Sequence, residues 1–219
     1  MSNDGGGQCP LCHQQQSRLY FEDRQRQYWA CPVCALIYVP VYFHLSPVEE
    51  RQRYDSHQNS ASDPNYRSFL NRLMSPLLTY LRPGQQGLDF GCGPGPTLSL
   101  MLQERGFSMS VYDPFYANNL LVLQRCYDFI TCTEAIEHFS RPDTEWRRLL
   151  SLLNDGGCLA IMTQLVDPLA DFSGWYYKND PTHIHFFSRQ TFEWMALRDS
   201  LSVEFHGESV AIFKKRPEA

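Results

Sequence analysis

Gly-Leu-Asp-Phe-Gly-Cys-Gly-Pro-Gly occupies residues 87–95 and decides the fold of this chain. Its last three glycines alternate with other residues, so the backbone can turn tightly and lie against a ligand without a Cβ in the way. A helix-like stretch, Thr97–Glu104, follows and offers its free N–H groups towards the same ligand. Asp89, at the end of the preceding apolar run, is placed to receive a donor such as an ammonium. The stretch predicts a ligand-binding turn between a strand and a helix.

The spacing of the glycines separates this turn from two nucleotide-binding motifs. It reads D-x-G-x-G-x-G, whereas the dinucleotide fingerprint reads G-x-G-x-x-G, and it lacks the Lys-Ser/Thr pair of a phosphate-binding P-loop. The motif resembles the first motif of the class I S-adenosylmethionine (SAM)-dependent methyltransferases. On the motif alone, a glycine-rich turn in another α/β protein remains the alternative.

From residue 86 onwards the chain alternates short apolar strands with helices, a pattern typical of a parallel α/β sheet. The predicted strands are 86–90, 109–112, 127–133 and 158–163, the predicted helices are 66–81, 144–153 and 188–198, and a terminal hairpin is predicted at 202–206 and 209–215. We expect Pro76 to kink or divide its helix. Only a short helix and a stub of strand fit around 120–123. With the resemblance, this order implies a Rossmann-like class I methyltransferase fold, with a mostly parallel seven-stranded sheet and a terminal antiparallel hairpin.

The carboxyl ends of the predicted strands carry a set of polar and small residues, and ligands bind at that edge of a doubly wound sheet. Asp113 ends the second predicted strand, where a carboxylate can accept both hydroxyls of a ribose. Residues 133–138 match the T/S-E-x-x-E-H form that lines the methionine side of the cofactor in the methyltransferase family, and residues 152–157 resemble its L-x-P-G-G turn. The resemblance covers about residues 66–215 and implies SAM as the cofactor. The predicted cofactor-binding residues are Asp89, Gly91, Cys92, Gly93, Gly95, Tyr112, Asp113, Thr133, Glu134 and His138.

The residue that contacts the adenine is not assigned, because the chain departs from the family in the segment after Asp113. Many members carry an acidic residue after the third strand that contacts the adenine amine, whereas here no acid lies between Asp113 and Asp128. Adenine recognition must then use backbone or another side chain.

A histidine and aromatic segment, Trp175–Phe187, follows the last predicted parallel strand and is expected to cover the site as a lid or acceptor pocket. Methyl transfer needs an aligned nucleophile and an acceptor for its proton. We take His183 as the first choice of base, with His138 as the second catalytic candidate. Each histidine has a structural role as its alternative, and a metal site of His183, His185 and Glu137 is conceivable but lacks diagnostic spacing. Three further residues, Tyr54, His57 and Tyr66, are candidates to close over the cofactor or to pack against the N-terminal segment.

Two C-x-x-C turns lie near the N-terminus, with Cys9 and Cys12 in the first and Cys31 and Cys34 in the second. Their spacing matches a Cys₄ zinc site and resembles a zinc ribbon, with a β-hairpin between the turns. The alternatives are a pair of disulfides or a redox C-x-x-C. Disulfides are disfavoured in a reducing cytosol, and a redox C-x-x-C would not need a second copy. We expect one structural zinc ion per chain, because four protein ligands leave no open position for chemistry.

Size and composition set outer limits on these hypotheses. The 219 residues suit one α/β domain with a small appendage, and no apolar run approaches the length of a membrane span. The beginning of the chain is Gly-rich and polar without a secretory pattern, which predicts a cytoplasmic protein. The predicted organisation is a disordered tail (1–8), a zinc ribbon (9–40), a linker that covers the cofactor (41–65) and a methyltransferase domain (66–219).

The resemblance implies a SAM-dependent methyltransferase, and its acceptor is the open question. A net charge of −5 and the aromatic segment favour a small-molecule acceptor over a large nucleic-acid footprint. The ribbon favours the alternative of an RNA or protein acceptor, since some ribosomal-RNA methyltransferases begin with a similar C-P-L-C segment. A third possibility is a SAM-binding interaction protein without turnover, because no D/N-P-P-Y motif follows the fourth strand.

Overall fold

A computed structural model describes residues 7–56, 60–167 and 169–215. The strands of this part of the chain are β1 (Arg18–Glu22), β2 (Gln27–Ala30), β3 (Ile37–Tyr38), β4 (Gln86–Phe90), β5 (Ser108–Tyr112), β6 (Tyr127–Thr133), β7 (Leu153–Met162), β8 (His185–Phe186), β9 (Leu201–His206) and β10 (Val210–Lys215). The α-helices are α1 (Pro47–Asp55), α2 (Pro64–Leu77), α3 (Thr97–Gln103), α4 (Pro142–Ser151) and α5 (Arg189–Arg198). Residues 1–6 of the predicted tail and His57 lie outside the described residues.

The main sheet has the order β5-β4-β6-β7-β10-β9, and the predicted α/β class is confirmed. Strands β4, β5, β6 and β7 run parallel, whereas β10 pairs antiparallel with both β7 and β9. Because β4 is flanked by β5 on one side and β6 on the other, the chain changes direction at β4, and a ligand site is expected beyond the carboxyl ends there.

The strand count differs from the prediction, since the sheet holds six strands within the described residues rather than seven. The predicted stub of strand at 120–123 is wrong. Leu120–Gln124 forms a short 3₁₀ helix, in which the Asn119 side chain accepts a hydrogen bond from the backbone N–H of Leu121. The segment between β5 and β6 is too short for another parallel strand, because each parallel crossover needs a dozen or more residues.

Two helix ends also differ from the prediction. Helix α2 ends at Leu77, and Pro76 lies in its last turn instead of kinking a longer helix. The chain beyond Pro76 continues in single tight turns, such as Thr79 N–H to Pro76 O at 3.1 Å. Helix α4 ends two residues earlier than predicted, since Leu153 already pairs with Tyr127 as the first residue of β7.

The Cys-rich segment contributes to a second, antiparallel sheet in the order β1-β2-β3-β8. Its fourth strand comes from the segment after β7, with Ile37 opposite Phe186 and Tyr38 opposite His185. Leu11 and Trp29 also belong to the same buried cluster as Trp146 of α4 and Leu159 of the main sheet. The N-terminal segment is therefore packed into the α/β core, and the division at residues 40 and 65 stays a prediction. None of the helices in the described ranges is long and apolar enough to cross a bilayer.

Candidate functional site

A cavity of about 820 Å³ lies over the carboxyl ends of β4, β5 and β6. Its size is within the range of ligand sites, roughly 300–1,000 Å³. All ten residues predicted to bind the cofactor line it, as do Tyr66, Tyr177 and His183. Strands that are far apart in sequence end at this one edge, and the predicted residues are thereby brought together.

The glycine loop forms one wall of the cavity, and two of its glycines have left-handed backbone angles. Gly91 has φ +76°, and its N–H donates to Tyr112 O at 2.8 Å. A Cβ on Gly91 would lie 2.5 Å from the Cβ of Ala135 on the loop after β6. Gly93 has φ +63°, with open space where a Cβ would lie. Glycine is required at Gly91 for both conformation and space, and at Gly93 for conformation alone.

Two carboxylates lie at the base of this wall in different environments. Asp113 accepts three backbone N–H groups, from Gly93, Phe115 and Tyr116, at 2.8–3.1 Å, and these bonds fix it at the end of β5. Asp89 is buried and accepts the hydroxyls of Ser99 and Thr131. Burial raises the pKa of Asp89 to about 6, against the effect of those two hydroxyls. The donors to Asp113 are thus backbone groups of its own loops, whereas those to Asp89 are side-chain hydroxyls.

Glu134 on the opposite wall and the fully buried Glu137 share one tyrosine hydroxyl. Tyr177 donates to both Glu137 and Glu134, and its hydroxyl also lies 3.1 Å from the Thr163 hydroxyl. One oxygen of each glutamate is buried without a hydrogen-bond partner among the described residues. Burial, with the neighbouring Glu137, raises the pKa of Glu134 to about 8, so Glu134 is mostly protonated at neutral pH.

Two imidazoles stand next to these glutamates with defined tautomers. His183 Nδ1 lies 2.7 Å from Tyr177 O, and His138 Nδ1 lies 2.9 Å from Thr182 O. A carbonyl only accepts, so each Nδ1 carries the proton and each Nε2 is free to accept one when the ring is neutral. Burial lowers the pKa of His183, which keeps that ring neutral near pH 7. The two rings are 4.8 Å apart, so both predicted catalytic histidines lie at one place.

The same cluster could hold a cation, though with a different residue set from the one considered in the sequence. Ligand atoms of Glu137, His138 and His183 lie within 4.8 Å of one another. His185 is not part of this group, because it is buried on β8 and faces His44. Burial lowers the pKa of His185 to about 3, so it has a structural environment.

Helix α1 and the residues after β5 form a wall that the sequence indicated only in part. Tyr54 lines the cavity, and its ring lies 5.3 Å from the His138 ring and 5.8 Å from the Phe115 ring. Arg53 donates to Asp180 at 2.8 Å and ties α1 to the loop before His183. The sequence did not indicate a site role for Phe115 or Arg53. The only available signals were that Phe115 follows Asp113 closely and that Arg53 precedes Tyr54.

The four N-terminal cysteines converge at one point. Cys9 Sγ lies 3.6 Å from Cys34 Sγ, Cys12 Sγ lies 3.4 Å from Cys31 Sγ, and all four sulfurs are within 4.8 Å of one another. Zn–S bonds of about 2.3 Å in a tetrahedron put sulfurs about 3.8 Å apart, so this donor set fits zinc.

The two C-x-x-C turns have the same backbone geometry. The residue after each turn is left-handed, with φ +62° at His13 and +57° at Ala35, and its N–H donates to the carbonyl of the first cysteine, at 2.9 Å and 3.0 Å. All four cysteines are free thiols. This repeated geometry favours a metal site over the disulfide alternative.

Comparison with known proteins supports the same kind of fold and family. No curated protein matches the chain. A Burkholderia thailandensis structure named as 1,6-didemethyltoxoflavin-N1-methyltransferase, with bound 1,6-didemethyltoxoflavin and S-adenosylhomocysteine, is similar at a TM-score of 0.55 and 15% identity, over 92% of this chain and 100% of that one. A Pyrococcus horikoshii OT3 protein is similar at a TM-score of 0.50 and 15% identity, over 76% and 99%. These structures share the class I methyltransferase fold with this chain.

The family assignment comes from the sequence match to a profile described as a methyltransferase domain, which covers residues 62–202. That span contains the glycine loop, Glu134 and both imidazoles of the cavity. It is well over half of the chain. The chain belongs to this methyltransferase-domain family.

Proposed function

We propose that this protein is a SAM-dependent methyltransferase that acts on a small molecule. One observation supports this above the others: the glycine loop, Asp113 and Thr133–Glu134 end three adjacent strands and line a single cavity. A SAM-binding methyltransferase needs that convergence, because its ligand spans the carboxyl ends of these strands.

The chain's residues have separate roles in this proposal. The loop from Gly91 to Gly95 holds the methionine part, with Asp113 accepting the ribose hydroxyls. When bound, SAM supplies a methyl group activated by a sulfonium. His183 accepts at Nε2 the proton that the acceptor atom loses as its bond to the methyl carbon forms. The walls formed by Tyr54 and Tyr177 exclude water and align the nucleophile.

The hydrogen bond from His183 to Tyr177 O is what suits this ring for the role of base. It fixes the proton on Nδ1 and leaves Nε2 free. Its lowered pKa keeps the free form dominant at neutral pH, which a base requires. His138 has the same tautomer and is the second candidate.

A small acceptor is favoured by the enclosure of the site. The cavity is bounded by the sheet edge, by α1 and by the segment 176–183, and much of its lining is aromatic. The Burkholderia protein also has a small molecule as its named acceptor.

The test is incubation of the protein with methyl-labelled SAM and cell extract, followed by separation into RNA, protein and small molecules. We expect label in the small-molecule fraction, and a His183→Ala sample serves as the background. Label in RNA or protein would contradict the small-molecule acceptor and would identify a polymer as the acceptor. Label in no fraction, from protein that binds SAM, would favour a binding module without turnover.

We also propose one structural zinc ion per chain, held by Cys9, Cys12, Cys31 and Cys34. The support is the tetrahedral fit of the four sulfurs and the repeated turn geometry. Elemental analysis of protein purified without added metal should give about one zinc per chain. A stoichiometry near zero with four titratable thiols would contradict the site.

A further inference from the structure

The tip of the N-terminal hairpin reaches the loop that carries the proposed base. Asp23 begins the turn between β1 and β2, and its side chain accepts the backbone N–H groups of Gln25 and Arg26 at 2.8 Å and 3.0 Å. This turn directs the Arg26 side chain away from solvent, so that the residue is only 6% exposed. A buried arginine needs a full set of partners, because an unpaired buried charge is costly.

Arg26 finds its partners in the loop 178–181. Its guanidinium donates to Pro181 O at 3.1 Å, to Asp180 O at 2.9 Å and to Lys178 O. Its Nε–H donates to the Tyr28 hydroxyl at 3.0 Å. The guanidinium therefore fills the inside of this loop and binds three of its backbone carbonyls.

A second cation makes the reverse connection. Lys178 belongs to the loop and is buried, and its Nζ lies 3.3 Å from Asp23 and 5.4 Å from the centre of the Phe21 ring. Burial alone would raise the pKa of Asp23, but the hydrogen bonds from the Gln25 and Arg26 amides, with Tyr28 and Lys178, lower it to about 2. Hairpin and loop are thus joined from both sides by charged hydrogen bonds.

The carbonyls on either side of the bound ones orient the two imidazoles. Tyr177 O, just before Lys178, accepts from His183 Nδ1, and Thr182 O, just after Pro181, accepts from His138 Nδ1. A loop that lost Arg26 would have three carbonyls to re-pair, and the neighbouring Tyr177 and Thr182 carbonyls would move with them. Both proposed catalytic rings are thus hydrogen-bonded to a loop whose other carbonyls accept from Arg26, about 150 positions earlier in the sequence than the loop.

We propose that Arg26 is a positioning residue that sets His183 and His138 for methyl transfer, and that the Cys₄ site holds the hairpin so that Arg26 can do this. The inference rests on the proposed function. The hairpin runs from Cys12 to Cys31, so its two ends are fixed at the sulfur cluster and its tip is fixed in the loop. The N-terminal segment then serves to build the acceptor side of the site.

The test compares Arg26→Gln with Arg24→Gln, an exposed arginine in the same turn. Three measurements are made on each: calorimetric affinity for S-adenosylhomocysteine, hydrogen exchange of the segment 176–184, and label transfer at saturating SAM. For Arg26→Gln we expect affinity and the apparent KM for SAM within about twofold of wild type, since neither reports on the loop. We expect segment exchange at least about tenfold faster and turnover lower by roughly 10²-fold, the effect of a small misplacement of reacting groups. Arg24→Gln should match wild type throughout.

Unchanged exchange and turnover in Arg26→Gln would overturn the proposal. So would a loss of cofactor affinity equal to the loss of turnover, because Arg26 would then support the whole fold and not the loop. If Arg26→Gln does not fold, the proposal is tested with Lys178→Gln and with metal-depleted wild type. Both should raise exchange in 176–184 while cofactor affinity is kept, and no rise in either would overturn the proposal.

Failure of the proposed function is distinguishable from failure of this inference. If wild type transfers no label but Arg26→Gln speeds exchange in 176–184, the function fails and the coupling stands. If wild type transfers label and Arg26→Gln transfers as much, the function stands and the coupling fails.

Discussion

The two sides of the cavity are built in different ways. The cofactor side consists of strand ends and a glycine loop, in which Gly91, Gly93 and Asp113 are held by backbone hydrogen bonds within about 25 residues of one another. The acceptor side takes Tyr54 from α1, with Tyr177 and His183 from the segment before β8, and that segment is bound by Arg26. The first side is a local motif, whereas the second exists only when distant segments pack together.

This difference has consequences for mutation. Changes on the cofactor side should alter binding of SAM, because each residue there contacts the same loop. Changes on the acceptor side should alter turnover with little effect on SAM. The predictions below test this separation, from the largest expected effect to the smallest.

Replacing the proposed base should have the largest effect. We expect His183→Ala to bind S-adenosylhomocysteine normally while turnover falls roughly 10²–10⁴-fold, the usual contribution of a positioned base. Turnover of wild type should also rise with pH through a value below 6.5, because burial lowers the pKa of His183 and only the neutral ring accepts a proton. Labelled-SAM assays across pH measure both. His206→Ala, outside this cavity, is the control, and equal loss of turnover in both variants would contradict the assignment.

The largest effect on the cofactor side is expected at Asp113. Asp113→Ala removes the proposed acceptor for the ribose hydroxyls, and hydrogen bonds to a charged group are worth about 1.5–3 kcal/mol, so affinity for SAM should fall at least about tenfold. Calorimetry measures it. Asp128→Ala is the matched control, because Asp128 bonds Gln86 N–H and Asn154 at the other end of the sheet. Unchanged affinity in Asp113→Ala would separate Asp113 from the cofactor.

A pair of glycine variants distinguishes strain from steric conflict. Gly93→Ala places a side chain at φ +63° in open space, and the left-handed conformation costs roughly 1–2 kcal/mol, or about 2–8 °C in the melting temperature. Gly91→Ala adds a 2.5 Å clash with Ala135 to the same strain. We therefore expect Gly91→Ala to melt lower and to bind SAM more weakly than Gly93→Ala. The reverse order in thermal melts would contradict this geometry of the loop.

The last prediction, on stability alone, concerns Glu134 and the pH dependence of unfolding. Its pKa is raised in the folded protein from 4.5 to about 8, so the free energy of unfolding should fall as pH rises between these values. Glu134→Gln carries no such proton and should lose less stability between these limits. Thermal melts at several pH values measure it, with exposed Glu193→Gln as the control. Identical pH dependence in wild type and Glu134→Gln would mean that Glu134 is ionised throughout.

The local structure of the proposed cofactor side could be predicted from the sequence, because its determinants are local. The D-x-G-x-G-x-G spacing predicted a turn between a strand and a helix, and the structure has one between β4 and α3. The predicted boundaries of β4 and β6 are also confirmed. The α/β class and the terminal hairpin followed from the order of elements. The predicted stub of strand at 120–123 is wrong, because no spacing rule distinguishes a short apolar strand from a 3₁₀ turn capped by Asn119.

The acceptor side could be predicted only as a candidate segment. Aromatic and histidine residues in 175–187 indicated a pocket, but the pairing of β3 with β8 joins residues about 150 apart and leaves no periodic signal. For the same reason the burial of Arg26 could not be predicted. Its burial depends on carbonyls of a loop that no local pattern places beside it.

The central claim is that this cavity binds the SAM family of ligands, and calorimetric titration of wild-type protein with S-adenosylhomocysteine tests it most directly. The account predicts one saturable site per chain with a Kd in the micromolar range, about −8 kcal/mol. Folded, zinc-loaded protein that shows no saturable heat up to about 1 mM ligand would contradict it.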